Sequence, residues 1–205
     1  METNNKAENS KNKIVKILLK DLRTNHTITS LANEINITRT GAWKILKKLE
    51  NDKLITLNSV GLGKTNTYTI ELDWNSKLTE KALAFYLTEE SLKYKKWLFD
   101  FEKLEREVEF LIIFGSILKS PKEAKDIDIL GVAKVNKIGK IKDIALKIQQ
   151  TQNKKIHSIN FTKKELKQEL KEKNKAFLDA IKKGVVLFGH EKFIDFIKEL
   201  KGHGN

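Results

Sequence analysis

The chain has 205 residues, of which 40% are hydrophobic, enough to bury a core in two small domains or one large one. Its 40 Lys+Arg outnumber 27 Asp+Glu for a formal net charge of +13, which either draws polyanionic partners or serves as a solubilising surface. It has no cysteine, which excludes disulfides, Cys-based zinc sites and thiol catalysis; with no apolar run of membrane length and no apolar leader core, a cytoplasmic protein with no membrane partner is expected.

Residues 1–11 are polar and read as a disordered lead. Ile14, Val15, Ile17, Leu18 and Leu19 then give residues 12–21 the apolar stripe of a helix. A short second helix is expected over 30–35, with Thr29 as its N-cap. Thr38 can cap a third helix, running to about Asp52, in which Ala42, Ile45, Leu46 and Leu49 follow helical spacing. Residues 54–58 and 67–72 read as strands, joined by a segment rich in turn formers. Within it, Gly61-Leu-Gly63-Lys64-Thr65 imitates the end of a phosphate-binding loop, but the full pattern needs a glycine where Asn58 stands, and a helix rather than a strand should follow.

Three helices followed by a two-stranded ribbon, over residues 12–75, resemble the winged helix-turn-helix family of DNA-binding modules. The resemblance implies that the third helix enters the major groove with its N-terminal residues at the base edges. Arg39, Thr40 and Trp43 are then the base-reading candidates, and Lys44, Lys47 and Lys48 would meet phosphates, with Lys64 reaching in from the tip of the wing. The competing readings are a protein-binding or dimerising module, and a Trp43 half-buried against the first helix. Winged-helix readers often pair on symmetric sites, so a homodimer is expected.

Residues 76–107 read as a helical connector, in which Tyr94, Trp97, Leu98, Phe101, Leu104 and Val108 form a stripe suited to a core or a dimer contact. Beyond it, strands are expected at 109–114, 126–132 and 156–161, with helices at about 139–150, after Thr162 and around 190–201. Thr162 and Glu165 have capping-box spacing. The lysines Lys163, Lys164, Lys167, Lys171, Lys173 and Lys175 interleave with Glu165, Glu169 and Glu172, which gives either an RNA-gripping face or an ordinary ion-paired one. The four histidines lie far apart, without metal-ligand spacing.

The most informative stretch ends an apolar strand in Gly115-Ser116 and continues to Asp126-Ile-Asp128. Two carboxylates two residues apart on a strand share one face and repel unless a cation lies between them. Mg2+ takes such oxygen ligands together with substrate phosphates. Gly115 permits close approach of a phosphate, Ser116 offers a hydroxyl and an amide, and a helix starting there would add its positive end.

Gly-Ser, a spacer and Asp-x-Asp resemble the minimal nucleotidyltransferases of the DNA polymerase β superfamily, over residues 108–201. The resemblance implies a two-domain α+β or α/β protein: a winged helix-turn-helix followed by a small mixed-sheet nucleotidyltransferase domain. It further implies transfer of a nucleoside monophosphate from an NTP to a hydroxyl acceptor on a protein, an RNA end or a small molecule. Asp126 and Asp128 would be catalytic metal ligands for Mg2+, and Gly115 and Ser116 would hold the nucleotide, with Ser116 also counted as catalytic. The family's third acid, on the following strand, is missing: that strand carries His157 and Ser158 where the acid is expected. Lys125, Leu118 and Ser120 also depart from the pattern. The alternative is a DNA-binding transcriptional regulator whose degenerate transferase domain senses a nucleotide or dimerises.

Overall fold

The computed structural model describes residues 2–60 and 67–203, a mixed α and β chain with two separate sheets. It divides into two compact units, Met1–Tyr86 and Leu87–Asn205. Among the described residues, no helix is long and apolar enough to cross a membrane.

The first unit runs α1 (Glu2–Lys20), α2 (Ile28–Glu34), α3 (Arg39–Asn51), β1 (Ile55–Val60), β2 (Thr67–Leu72) and the first part of α4 (Lys77–Ser91). The expected disordered lead over residues 1–11 is corrected, because helix begins at Glu2. The apolar stripe marks only where α1 buries itself, and the helix runs further back. Lys11, itself nearly buried, anchors that extension through Nζ to Asp52 Oδ2 at 2.9 Å. The cap of α2 is Thr27 rather than Thr29. Thr27 Oγ1 accepts from the Ser30 amide at 3.2 Å while Ser30 Oγ accepts from the Thr27 amide at 2.8 Å. Thr38 caps α3 as expected, its Oγ1 accepting from the Gly41 amide at 3.1 Å.

Ile14, Val15, Leu18 and Leu19 of α1 meet Leu31, Ala42, Leu46 and Leu49 in one buried core, closed by Ile55, Ile70 and Leu72. Ile45, expected in that core, is half-buried. β1 and β2 pair antiparallel from Ile55↔Leu72 to Val60↔Thr67. Residues 61–66, the connecting segment with its Gly61–Thr65 motif and Lys64, lie outside the described residues.

The second unit takes in much of the expected 76–107 connector. α5 (Lys95–Phe101) and the single 3-10 turns around it place Trp97, Phe101, Leu104 and Val108 in the core, with Tyr94 and Leu98 packed against it. The stripe is therefore core. After it come β3 (Phe110–Phe114), β4 (Asp126–Val132), α6 (Ile138–Gln149), β5 (Lys155–Phe161), α7 (Lys163–Lys171), α8 (Lys175–Lys183), β6 (Val185–Phe188) and α9 (His190–Leu200).

The sheet order is β5-β4-β3-β6, with β4 parallel to β5 and β3 antiparallel to both β4 and β6. Ile127 and Ile129 alternate with Asp126 and Asp128, so one face of β4 goes to the core and the other carries the acids. The apolar face, with Leu111, Ile113, Val185 and Leu187, packs on α5 and on Ile141 and Ile148 of α6. On the opposite face Phe110 meets Phe193 and Phe196 of α9, each with ring centroids 5.4 Å apart, and Phe161 meets Phe177 of α8 at 5.0 Å. The turn into α9 requires Gly189, whose φ is 75° and where a Cβ would lie 1.9 Å from the Glu109 carbonyl oxygen.

Candidate functional site

The site grows from the register of three strands. Asp128 sits opposite Phe114, the last residue of β3, and beside His157 on β5. Asp126, two residues earlier, shares its face and lies beside Lys155. His157 Nδ1 lies 3.4 Å from Asp128 Oδ1 and 3.5 Å from Asp126 Oδ2. The ligand atoms of Asp126, Asp128 and His157 all fall within 4.8 Å of one another. Their side chains are 33%, 24% and 42% exposed, so a solute can reach all three.

Gly115 follows directly from β3 with φ 84° and ψ −161°, a region essentially reserved for glycine. A Cβ there would stand 2.3 Å from Asp128 Oδ2. The missing side chain thus makes room for the carboxylate as well as for any incoming ligand. Ser116 is exposed beside it, and its carbonyl accepts from the Lys119 and Ser120 amides at 3.0 and 2.9 Å. The expected helix start is only a 3-10 turn, Ser116–Leu118, too short to build a macrodipole. The segment leading into β4 is pinned by Lys154, whose Nζ donates to the carbonyls of Ala124 and Lys122. The start of β5 is fixed by Gln149, whose Oε1 accepts from the Ile156 amide at 2.7 Å. Lys125 is exposed next to the acids.

Burial, and then the charge of Asp126, push the Asp128 carboxyl above its ordinary pKa, while His157 pulls the other way. Two acids are thus held together at a cost that a cation would relieve. Of the two residues expected near the missing acid, the register selects His157. Ser158 points to the other face and accepts through Oγ from Asn160 Nδ2 at 2.9 Å. The resemblance leaves His157 and Ser158 as alternatives, and the pairing of β5 with β4 decides between them.

In the first unit, Arg39 and Thr40 are exposed at the N-terminus of α3, and Lys44 and Lys48 are exposed further along it. Trp43 is half-buried, and its ring lies 5.4 Å from that of Tyr68 on β2. Lys47 is engaged, with Nζ 2.8 Å from Glu50 Oε2 and 4.9 Å from the Trp43 ring centre. Along α7, Glu165 answers the Thr162 amide and hydroxyl, which hold its carboxyl below the usual range, and Lys163 reaches back to Glu109 at 3.1 Å. The structure also gathers a trio that sequence spacing does not reveal. His26 Nε2 lies 3.4 Å from Asp21 Oδ2, and His26 Nδ1 lies 3.9 Å from Glu34 Oε2. Asp21 Oδ1 accepts from the amides of Arg23 and Thr24, so this group ties the end of α1 to α2. No family model, curated protein or solved structure matches the chain.

Proposed function

We propose that the second unit is a nucleotidyltransferase-type domain, which binds a nucleoside triphosphate with a divalent cation and passes the nucleoside monophosphate to a hydroxyl acceptor. The observation that carries this reading is the reachable Asp126–Asp128 pair facing a Gly115 whose backbone no other residue can adopt without strain. The two carboxylates are the oxygen ligands that a divalent ion such as Mg2+ takes together with substrate phosphates. Asp126 and Asp128 would hold it, and when bound it would offset the charge of the triphosphate and of the entering and leaving oxygens. Gly115 and Ser116 would receive the phosphates, the glycine by close approach and the serine by its exposed hydroxyl and amide. The acceptor is a hydroxyl on a protein, an RNA end or a small molecule.

The first unit serves this reading as a winged-helix DNA-binding module and homodimer former. Its support is the exposed set Arg39, Thr40, Lys44 and Lys48 on α3, with Trp43 set by Tyr68. Calorimetry of NTP binding, with and without Mg2+, tests the central reading on the full chain. Binding is expected to need the cation and to vanish in the double variant Asp126→Ala/Asp128→Ala; absence of NTP binding by the wild type would overturn it. A second reading, a DNA-binding regulator that senses a nucleotide without turnover, draws on His157, which stands where the resemblance calls for an acid. Cation-dependent binding without transfer of label from any NTP to protein, RNA or small hydroxyl acceptors would favour it.

A further inference from the structure

We infer that the Asp126–Asp128–His157 centre takes a first-row transition divalent cation, with Mn2+ and Co2+ as its representatives, in preference to Mg2+, and that His157 Nδ1 is the ligand responsible. The inference rests on the proposal that this site holds a cation at all; it adds which cation and which atom decides.

The argument begins with register. β4 and β5 run parallel, with Asp128 beside His157, so the imidazole is on the acid face by the geometry of the sheet. Two ligands bound at right angles, each about 2.1 Å from an ion, stand about 3 Å apart. The observed separations of 3.4 and 3.5 Å from Nδ1 to the two carboxylates need only small side-chain adjustments to reach that value. With 42% of its side chain exposed, His157 has room to make them. The donor set is then two carboxylate oxygens and one imidazole nitrogen.

That set separates the ions by chemistry. Mg2+ is a hard ion that binds oxygen and gains little from nitrogen. Mn2+ and Co2+ accept carboxylate and imidazole together, and nitrogen donors widen their advantage in the order Mg2+, Mn2+, Co2+. Charge does not separate the three ions, all of them divalent: with His157 in place of an acid the site keeps two negative charges rather than three, and the discrimination rests on the nitrogen ligand alone.

The test uses the full chain with Mn2+, Co2+ and Mg2+ alone. Pulsed electron paramagnetic resonance of bound Mn2+ should show nitrogen coupling from one imidazole, and His157→Gln should abolish it. Calorimetry should show Co2+ and Mn2+ binding more tightly than Mg2+, by about tenfold or more for Co2+. His157→Asp should shrink that preference several-fold by strengthening Mg2+. His157→Gln is the neutral control for a variant that adds charge, and circular dichroism confirms that both fold. Binding that requires Asp126 and Asp128 but shows no nitrogen coupling, or an ion preference unchanged in both His157 variants, would overturn this inference alone. If the wild type binds no cation, or if Asp126→Asn/Asp128→Asn leaves binding intact, the proposed site falls and the inference with it.

Discussion

Replacing Gly115 with alanine separates a glycine needed by the site from one needed only by the fold. Its φ of 84° and ψ of −161° lie where a side chain costs about 1–3 kcal/mol. The new Cβ would also fall 2.3 Å from Asp128 Oδ2 and 3.3 Å from its Cγ. Those atoms belong to a short side chain that can rotate, so the clash is relieved by turning the carboxylate away. The expected result is a local stability loss confined to that 1–3 kcal/mol, read as faster hydrogen exchange in β3 and β4, together with cation binding at least about tenfold weaker. Gly189→Ala is the comparison. Its φ is 75°, and its Cβ would meet the Glu109 carbonyl oxygen at 1.9 Å and Phe110 Cα at 2.8 Å. Backbone at the start of β3 cannot rotate aside, so the stability loss there should exceed that of Gly115→Ala, toward the severe range of about 4 kcal/mol. A Gly115→Ala protein with wild-type exchange and wild-type cation affinity would refute the reasoning.

Asp128→Asn tests the electrostatics. Burial and Asp126 raise the native pKa of Asp128, so its ionised form destabilises the fold above that raised value, and the penalty disappears below the unfolded carboxylate pKa. The variant should therefore be more stable than wild type near neutral pH without added cations, and its advantage should fade as pH falls through that window; an advantage unchanged down to acidic pH would contradict this. Thr38→Ala removes the hydroxyl that accepts from the Gly41 amide and should cost about 1 kcal/mol in urea denaturation of the first unit, with no loss refuting the cap. Lys44→Gln and Lys48→Gln, each exposed on α3, should each lower the salt dependence of binding to duplex DNA by roughly one counterion. A slope equal to wild type would remove that helix from the DNA interface.

The elements with strong periodicity could be read in advance: α3 with its Thr38 cap, β4 with its Asp/Ile alternation, and α7 with its capping box all stand within a residue or two of expectation. What escaped the sequence depends on reciprocity or on distance along the chain. The start of α2 is ambiguous in the sequence because Thr27 and Thr29 are equally good caps in isolation, and only Ser30, returning a bond to the Thr27 amide, distinguishes them. The N-terminal turns of α1 carry no apolar signal, because apolar spacing reports burial, whereas Lys11 is held by Asp52, far along the chain. The residues 94–108 showed a stripe without saying which core it entered, and the structure puts it against β3, β4, β6 and α6. Of the candidate site, Gly115, Asp126 and Asp128 could be named from their spacing. His157 could be named only as one of a pair with Ser158, and setting β5 beside β4 decides between them.

That register also limits how the third position could have changed. Sliding β4 by one residue would turn Asp126 and Asp128 into the core and bring Ile127 and Ile129 out, so the alternation holds the strand firmly in place. β5 is held in turn by Gln149 at its first turn and by the pairing of Ile127 with Ile156. With both strands fixed, the side chains that β5 sets beside the acids come from positions 155 and 157, and 158 is directed elsewhere. Under the proposed reading, the difference from a three-carboxylate centre is a matter of chemistry at one position of β5. The glycine in a strained conformation and the pair of repelling carboxylates are the costly features of this arrangement. Both are present, and the imidazole is set within 3.5 Å of each acid. Under the proposed reading His157 is the third ligand of the centre, and His157→Asp, which puts a third carboxylate at that position, is the single change that tests what the imidazole contributes.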